Sequence, residues 1–149
     1  MYKVISIFDS LKHFEEGVKE YEKRFGKNIE LIKLKPSKKD NKEEVKKEET
    51  KKLIEILEHE NAYKILLDIQ GKHFNTEELT KIIEQKKQSF SNIIFIIGGV
   101  YGYQEDLYKY VDMKLSLSSL TFPHGLALLI LFEQIYRMET IMIGKKYHY

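Results

Sequence analysis

Three stretches of this sequence contain glycines or hydroxyl residues directly after an apolar run, where ligand chemistry is often placed. They read LLDIQGK, which includes Gly71; FIIGGVYGY, which includes Gly98, Gly99 and Gly102; and LSLSSLTFPHG, residues 115–125. Glycine allows a backbone to approach a ligand closely or to adopt positive φ, so a Gly-Gly-x-x-Gly turn suggests a cradle for a small molecule or an anion. The spacing matches neither a dinucleotide fingerprint nor a phosphate-binding P-loop. Taken singly, each stretch is more typical of a plain tight turn.

The third stretch leads through Pro123 and His124 into a long apolar segment. Proline suits the first turn of a helix, and the hydroxyls of Ser118, Ser119 and Thr121 either cap exposed amides or face a ligand. His124 then lies near the positive end of the helix dipole, which disfavours the protonated imidazole. A neutral imidazole accepts a proton, so His124 is a candidate general base; a plain helix start is the alternative.

The chain ends in GKKYHY, where Tyr147 and His148 follow two lysines. An aromatic ring and an imidazole beside lysines suit stacking on a base next to a phosphate, and a frayed terminus is the alternative. No Ser/His/Asp nucleophile set can be assigned, and the five histidines show no metal-ligand spacing. The chain has no cysteine, which excludes disulfides and thiolate metal sites. We therefore predict no metal.

Four short apolar runs separated by helix-forming stretches organise the chain: YKVISIF, IELIKLK, YKILLDI and NIIFIIG. This alternation predicts an α/β fold with a mostly parallel sheet flanked by helices. NIIFII is continuously apolar and predicts a central strand, whereas DMKLSLS alternates and predicts an edge strand. Ligands of open α/β sheets lie beyond the carboxyl ends of the strands, so the three stretches are the places where a ligand site is expected.

The helix-forming stretches differ in character. KPSKKDNKEEVKKEETKKLIEILEHE is dense in Lys and Glu and predicts a solvated helix, with a partner-binding face as the alternative. Asn75 and Glu78 predict a capping box. Residues 126–132 are all apolar, which leaves more than one side of the last helix dry. A second copy of the chain is the simplest cover, so we predict a homodimer through this helix; two core layers of one chain are the alternative.

Length and composition set the remaining limits. The chain has 149 residues, of which 42% are hydrophobic and 32% charged, and this indicates one globular domain over residues 1–149. No signal-peptide pattern and no apolar run of about 18 residues is found, so we predict neither secretion nor a membrane, and a cytoplasmic location by default. The net charge of +2 is small, so a polyanionic partner would have to be met by local basic clusters.

Several stretches together resemble one family. LDIQGK, FIIGGVYG, LSLSSLTFPH, EQIYR, the final YH and EYEKRF near the start occur in the order and spacing of the RlmH-type methyltransferases of the SPOUT superfamily. The resemblance runs from end to end. It implies a small α/β fold with a C-terminal trefoil knot, a homodimer, and methyl transfer from S-adenosylmethionine to N3 of a pseudouridine. The implied target lies in a hairpin loop of bacterial 23S rRNA in the ribosome.

The resemblance also implies site residues. The cofactor-binding set joins the three stretches into one pocket: Leu67, Gly71, Gly98, Gly99, Gly102, Leu117, Ser118, Ser119, Leu120, Thr121 and Phe122. His124 and His148 are the candidate proton acceptors, because the cofactor is already an activated electrophile and the acceptor N–H proton must leave. Tyr147 or Tyr136 would orient the uracil-like ring, and Arg137 would hold a phosphate or the cofactor carboxylate.

The sequence departs from the family pattern at two places. Four residues after His124 the family commonly has Arg, where this chain has Leu128, and Gly125 replaces the usual Gln or Pro. The family ending Gly-Glu-Pro-Tyr-His is here Gly-Lys-Lys-Tyr-His, at residues 144–148. These differences keep open a catalytically impaired SPOUT-fold protein that binds RNA or ribosomes. An unrelated nucleotide-binding α/β protein leaves the hydroxyl-rich loop and the tail unexplained.

Overall fold

Five parallel strands form one sheet in the computed structural model, which describes residues 1–148. The strand order is β2-β1-β4-β3-β5, and every neighbouring pair is parallel. The strands are β1 (Tyr2–Ile7), β2 (Ile29–Leu34), β3 (Tyr63–His73), β4 (Ile93–Ile97) and β5 (Met113–Ser116). The predicted parallel α/β fold is thus confirmed. Tyr149, the last residue of the predicted tail motif, lies outside the described residues.

Four helices cover the two faces of the sheet. They are α1 (Glu15–Phe25), α2 (Lys42–Leu57), α3 (Thr76–Lys87) and α4 (His124–Met142). Helices α1, α4 and α3 pack together over one face, and α2 packs on the other beside a short 3-10 segment, Glu105–Tyr110. Two core layers result, as expected when both faces of a parallel sheet are apolar.

The local signals in the sequence position these elements well. The side chain of Asn41 caps α2 by accepting hydrogen bonds from the amides of Glu43 and Glu44. Asn75 and Glu78 form the predicted capping box at the start of α3. These contacts satisfy amides that the first helical turn leaves without intrahelical partners.

The sheet has the predicted centre and edge. All five residues of β4 are buried, and β4 is the middle strand of the order. Strand β5 lies at one edge beside β3, and β2 lies at the other. A strand covered on both faces must be continuously apolar, which is why NIIFII could be assigned to the centre from sequence.

Gly71 was expected in a turn after a strand, and this placement was wrong. It lies inside β3, where the pairing register with β5 shifts between Leu67 and Lys72. A Cβ at Gly71 would stand 2.7 Å from the backbone carbon of Lys114, so glycine is required for the close approach of β3 and β5.

The apolar run of α4 is covered in part within the chain itself. Leu128, Leu131 and Phe132 are buried, because α1 and α3 flank α4 and the sheet lies beneath it. All buried apolar side chains of α4 belong to one core layer, and Leu126, Leu129 and Ile130 are only partly buried. The homodimer stays a prediction.

Two negative findings apply to residues 1–148. None of the helices in that range combines the length and the apolarity that crossing a bilayer requires. No three His, Asp or Glu side chains in the same range gather into a group that could hold a metal ion.

Candidate functional site

A small cavity lies at the carboxyl ends of β4 and β5, beside residues 67–69 in the middle of β3. The three sequence stretches were expected to meet at this edge of the sheet. The volume of the cavity is about 170 Å³. Six of the predicted residues line this strand-edge cavity: Leu67, Leu117, Ser118, Leu120, Thr121 and Phe122. The parallel sheet explains the convergence, since all strands end at the same edge and their following loops meet there.

The loop of residues 117–122 is fixed by its own hydroxyl groups. Ser116 Oγ donates to the carbonyl of Ser118 at 2.9 Å, and Ser118 Oγ accepts from the amide of Leu120 at 3.0 Å. No side chain caps the start of α4, so the predicted hydroxyls do not cap that helix. Leu120 is 71% exposed, and this leaves an apolar side chain at the cavity mouth available to a ligand.

The glycine turn lies beside the cavity and does not line it. The Gly102 amide donates to the Gly99 carbonyl at 3.0 Å, and Gly102 has φ of 80°. Gly98 directly follows Ile97, which does line the cavity, and it packs against the Tyr103 ring. Gly98, Gly99 and Gly102 therefore shape the chain next to the cavity, and Gly71 and Ser119 also lie outside its lining.

Sequence reasoning missed five residues of the lining: Asp68, Ile69, Ile97, Leu115 and Ala127. The signal was available for most of them, because they are neighbours of assigned residues at the ends of predicted strands. Asp68 accepts a hydrogen bond from the Gln70 amide at 2.9 Å. Burial, followed by the Asp68 carboxylate, raises the pKa of the Tyr103 hydroxyl. Asp68 is the only carboxylate among the described residues that line the cavity.

His124 begins α4, as predicted, and lies on a different wall. Its Nε2 atom is 2.6 Å from Ser6 Oγ, and its ring packs against Phe8 with 5.8 Å between ring centres. Burial lowers the pKa of the His124 imidazole, so the direction predicted from the helix dipole is correct and burial is its cause. Ala127, one turn further along α4, lines the strand-edge cavity. His124 therefore stands close to it without lining it.

Arg137, Tyr147 and His148 lie together in a surface group, the tail cluster, with Glu133 and Glu77. Arg137 donates to Glu133 Oε1 through Nε at 2.9 Å and Nη2 at 2.5 Å, and this contact raises the pKa of the guanidinium. His148 places Nδ1 3.3 Å from Arg137 Nη1 and Nε2 3.3 Å from Glu77 Oε1. The Arg137 guanidinium also stacks on the Tyr147 ring, 4.8 Å from its centre.

Tyr136 and Tyr21 extend the tail cluster toward α1. The rings of Tyr136 and Tyr147 meet edge to face with centres 5.0 Å apart. Burial, together with the hydroxyl contact to Tyr147, raises the pKa of Tyr21 to about 12. The structure thus brings four predicted residues together, namely Tyr136, Arg137, Tyr147 and His148. None of the four lines the strand-edge cavity of the same chain.

Comparison with known proteins identifies the family. The family described as "Predicted SPOUT methyltransferase" matches residues 2–148. The chain belongs to the SPOUT methyltransferases. Its relatives include proteins named ribosomal RNA large subunit methyltransferase H. The one from Fusobacterium nucleatum is 40% identical over 141 residues, which cover 92% of this chain and 91% of the relative. The one from Thermodesulfovibrio yellowstonii is 41% identical over 140 residues, which cover 93% of this chain and 90% of the relative. The one from Caldicellulosiruptor saccharolyticus is 35% identical over 142 residues, which cover 92% of each.

The departures from the family pattern now have structural descriptions. In this SPOUT methyltransferase Leu128 is fully buried and belongs to the core layer under α4. A Cβ at Gly125 would stand 2.7 Å from the Phe14 ring, so glycine lets the start of α4 pack closely on the segment before α1. The trefoil knot that the resemblance implies stays a prediction.

Proposed function

We propose that the protein transfers a methyl group from S-adenosylmethionine to N3 of a pseudouridine in a hairpin loop of 23S rRNA, acting on ribosomes in the cytoplasm. Family membership supports methyl transfer, and the relatives' names support ribosomal RNA as the acceptor. One observation supports the assignment of cofactor-binding residues. Six positions that the motif match assigns to the cofactor line a single cavity at this edge of the sheet.

The lining of this cavity fits the adenine part of the cofactor. Ile97, Leu115 and Leu117 supply apolar walls, and the backbone of residues 117–122 supplies groups that can hydrogen-bond a base edge. The volume of about 170 Å³ is below the roughly 300 to 1,000 Å³ of common ligand pockets. The cavity therefore has room for the adenine part alone, and the remainder of the cofactor would extend beyond it. When bound, the cofactor supplies an activated methyl group on a sulfonium.

His124 is suited to receive the proton that leaves the acceptor nitrogen. Burial keeps its imidazole neutral near pH 7, and a neutral ring has one free acceptor nitrogen. If Nε2 donates to Ser6 Oγ, the contact at 2.6 Å orients the ring and leaves Nδ1 as the acceptor. General-base help of this kind typically contributes about 100- to 10,000-fold to the rate.

The tail cluster is suited to RNA. Arg137 and Tyr147 stack, and His148 is held between Arg137 and Glu77. Such a group offers a cation for a phosphate and a ring for a base. Because the cluster does not line the strand-edge cavity of its own chain, a homodimer is the arrangement in which a second tail can approach the site. We keep the predicted contact through α4 as part of this proposal.

Methyl transfer to ribosomes from a bacterial strain that lacks the modification tests the proposal. Radiolabelled S-adenosylmethionine should label 23S rRNA, and nuclease digestion with mass spectrometry should place the label on a pseudouridine as an N3-methyl group. Label on another nucleotide would contradict the proposed acceptor. Calorimetry with S-adenosylmethionine, and sedimentation at micromolar protein concentration, test the cofactor and the homodimer separately.

A second candidate function is favoured by the departures from the family pattern. Leu128 replaces a basic residue and is buried, and the tail carries Lys145 and Lys146. These two features also fit a protein that kept the fold and binds ribosomes without transferring methyl groups. The same experiment separates the two functions, since this alternative predicts ribosome binding without incorporated label.

A further inference from the structure

A larger cavity lies on the other side of the glycine turn, at the carboxyl ends of β1 and β2. Its volume is about 490 Å³, within the roughly 300 to 1,000 Å³ of ligand pockets. We call it the Glu49 cavity; its walls come from residues 7–10 and 12, residues 36, 37 and 39, residues 99–101, Val45 and Glu49 of α2, and His124. It shares no lining residue with the strand-edge cavity. The two cavities are neighbours in the structure. Ile97 and Phe122 line the strand-edge cavity, and Gly99 and His124, each two residues further along the chain, line the Glu49 cavity.

The wall of this cavity holds a buried carboxylate that lacks one partner. Glu49 is 1% exposed, and its Oε2 accepts from the Ser37 amide at 2.8 Å. Its Oε1 has no hydrogen-bond partner among residues 1–148. Burial of an unpaired polar atom is costly, so such an atom in a cavity wall calls for a donor that the chain itself does not provide.

The backbone at the rim is also unusual. Lys12 has φ of 51°, the only positive value for a residue other than glycine within residues 1–148. Strained backbone of this kind persists where the surrounding structure enforces it, and it clusters at ligand sites. A strained rim residue and an unpaired buried carboxylate are independent observations, and they converge on one cavity.

The remaining side chains match one nucleotide of a single-stranded RNA. Tyr101 presents a ring on which a base can stack and is 46% exposed, whereas Phe8 lines the cavity but is only 8% exposed and packs against His124. Lys12 and Lys39 are exposed on the rim, where they can meet phosphates, with Asp9 as the exposed acid nearby. His124 stands on the same wall, so a base in this cavity lies beside the candidate proton acceptor.

We propose that the Glu49 cavity receives the base to be methylated, and that Glu49 Oε1 accepts a hydrogen bond from N1–H of pseudouridine. The inference rests on the proposed function. Pseudouridine is joined to ribose through carbon and therefore presents N1–H as well as N3–H, whereas N1 of uridine is bonded to the ribose. While N3 faces the methyl donor, N1–H points to another edge of the ring. A fixed carboxylate oxygen there selects pseudouridine over uridine, because only pseudouridine supplies the missing donor.

Entry of the base requires movement of the glycine turn. Glu49 Oε1 lies against Gly99, and the carboxylate occupies the space that a Cβ at Gly99 would need. Val100, at the tip of the turn, is 88% exposed and therefore has little packing to hold it. A shift of residues 99–102 opens Oε1 to the cavity while the Ser37 amide keeps the carboxylate in place.

Substitution of Glu49 by Gln tests the inference. The Ser37 amide needs an oxygen acceptor, so the Gln side chain keeps its oxygen there and places its NH₂ group where Oε1 stood. The NH₂ group then faces N1–H of pseudouridine, and two donors cannot form a hydrogen bond. Methyl transfer is measured on large ribosomal subunits that carry pseudouridine, and on subunits from a strain lacking the pseudouridine synthase, which carry uridine. The kcat/KM for pseudouridine should fall by about tenfold to a hundredfold, the range for leaving a buried donor unpaired, while that for uridine changes little.

Glu48→Gln is the matched control, since Glu48 is the preceding residue of α2 and its side chain is 37% exposed. It should leave both substrates unchanged. The inference is overturned if Glu49→Gln keeps the wild-type preference for pseudouridine, or if the two substrates lose activity equally. If the wild-type protein methylates neither substrate, the proposed function fails instead, which is a distinguishable result.

Tyr101→Ala gives a second reading that does not depend on Glu49. Loss of one stacking ring should raise the Kd for the pseudouridine-containing subunits by about tenfold, while calorimetry shows unchanged affinity for S-adenosylmethionine. Thermal unfolding should be near wild type, because the ring is exposed at the rim. If the variant instead changes the oligomeric state and binds subunits normally, the cavity holds a second copy of the chain and the inference is wrong.

Discussion

The strand-edge cavity and the tail cluster are held together by different forces. The cavity is built by the register of parallel strands, by loop hydrogen bonds such as that between Ser118 and Leu120, and by apolar burial. The tail cluster is built by ion pairs and ring contacts at the surface, centred on Arg137. Sheet register tolerates little change, whereas surface ion pairs contribute little to stability and adjust easily. The first region suits a fixed cofactor, and the second suits a substrate that must be engaged and released.

The two candidate histidines follow this division. His124 is half-buried against Ser6, and burial lowers the pKa of its imidazole, which favours a neutral ring held in place. His148 lies in the tail cluster between Arg137 and Glu77. A fixed neutral ring suits proton transfer, and a ring between charged side chains suits positioning of RNA.

The largest expected effect separates these two roles. His124→Gln keeps a hydrogen-bonding group for Ser6 and removes the proton acceptor, so methyl transfer should fall by about 100- to 10,000-fold. His148→Gln should lower it by about tenfold or less, because an exposed contact of this kind is worth about 1 kcal/mol or less. Steady-state transfer to ribosomes measures both. Equal losses in the two variants would remove the distinction.

The dependence on pH sharpens the same prediction. Because burial lowers the folded-state pKa of His124, the neutral ring persists below the usual value of about 6.5, and transfer should decline only at lower pH. As the pH falls, His124 is protonated at a higher pH in the unfolded chain than in the folded protein. Its contribution to the free energy of unfolding is therefore complete above about pH 6.5 and is lost as the pH falls toward the folded-state pKa. Thermal unfolding at pH 7 and pH 5 should show a smaller difference for His124→Gln than for the wild type.

The next effect concerns the rigidity of the strand-edge region. Gly71→Ala places a Cβ 2.7 Å from the β5 backbone, and overpacking of this kind typically costs about 1 to 3 kcal/mol. Displacement of β5 should also weaken binding of S-adenosylmethionine, because Leu115 in β5 and Leu117 just after it line the strand-edge cavity. Urea unfolding and calorimetry measure the two losses. Gln70→Ala, at an exposed neighbour, is the control and should change stability by about 0.5 kcal/mol or less.

The smallest effect is expected in the tail cluster. Glu133→Gln removes the carboxylate that holds Arg137, and the loss of stability should stay below about 1 kcal/mol. Hydrogen exchange at residues 145–148 should nevertheless increase, and the KM for ribosomes should rise several-fold more than the KM for S-adenosylmethionine. Glu20→Gln breaks the corresponding Glu-Arg pair with Arg24 on α1 and is the matched control. A large loss of stability in Glu133→Gln would show that the tail is part of the core.

Local sequence signals were sufficient for much of this description. The continuous apolar run of β4 predicted its central position, Asn75 and Glu78 predicted a helix start, and the hydroxyl-rich loop before His124 contributed five residues of one cavity. These signals work because burial on two faces, helix capping and the common edge of parallel strands are each determined by a few neighbouring residues.

Contacts between distant segments decided the rest. No local pattern distinguishes Gly71, which lies against the β5 backbone, from a turn glycine, and none reveals that Glu49 in a lysine-rich helix has a buried carboxylate. The cover that α1 and α3 give to part of the apolar run of α4 likewise depends on how the helices pack. The sequence determined which elements form and where their loops meet. Tertiary packing decided which side chains become buried and unpaired, because burial is a property of neighbours that lie far apart in the chain.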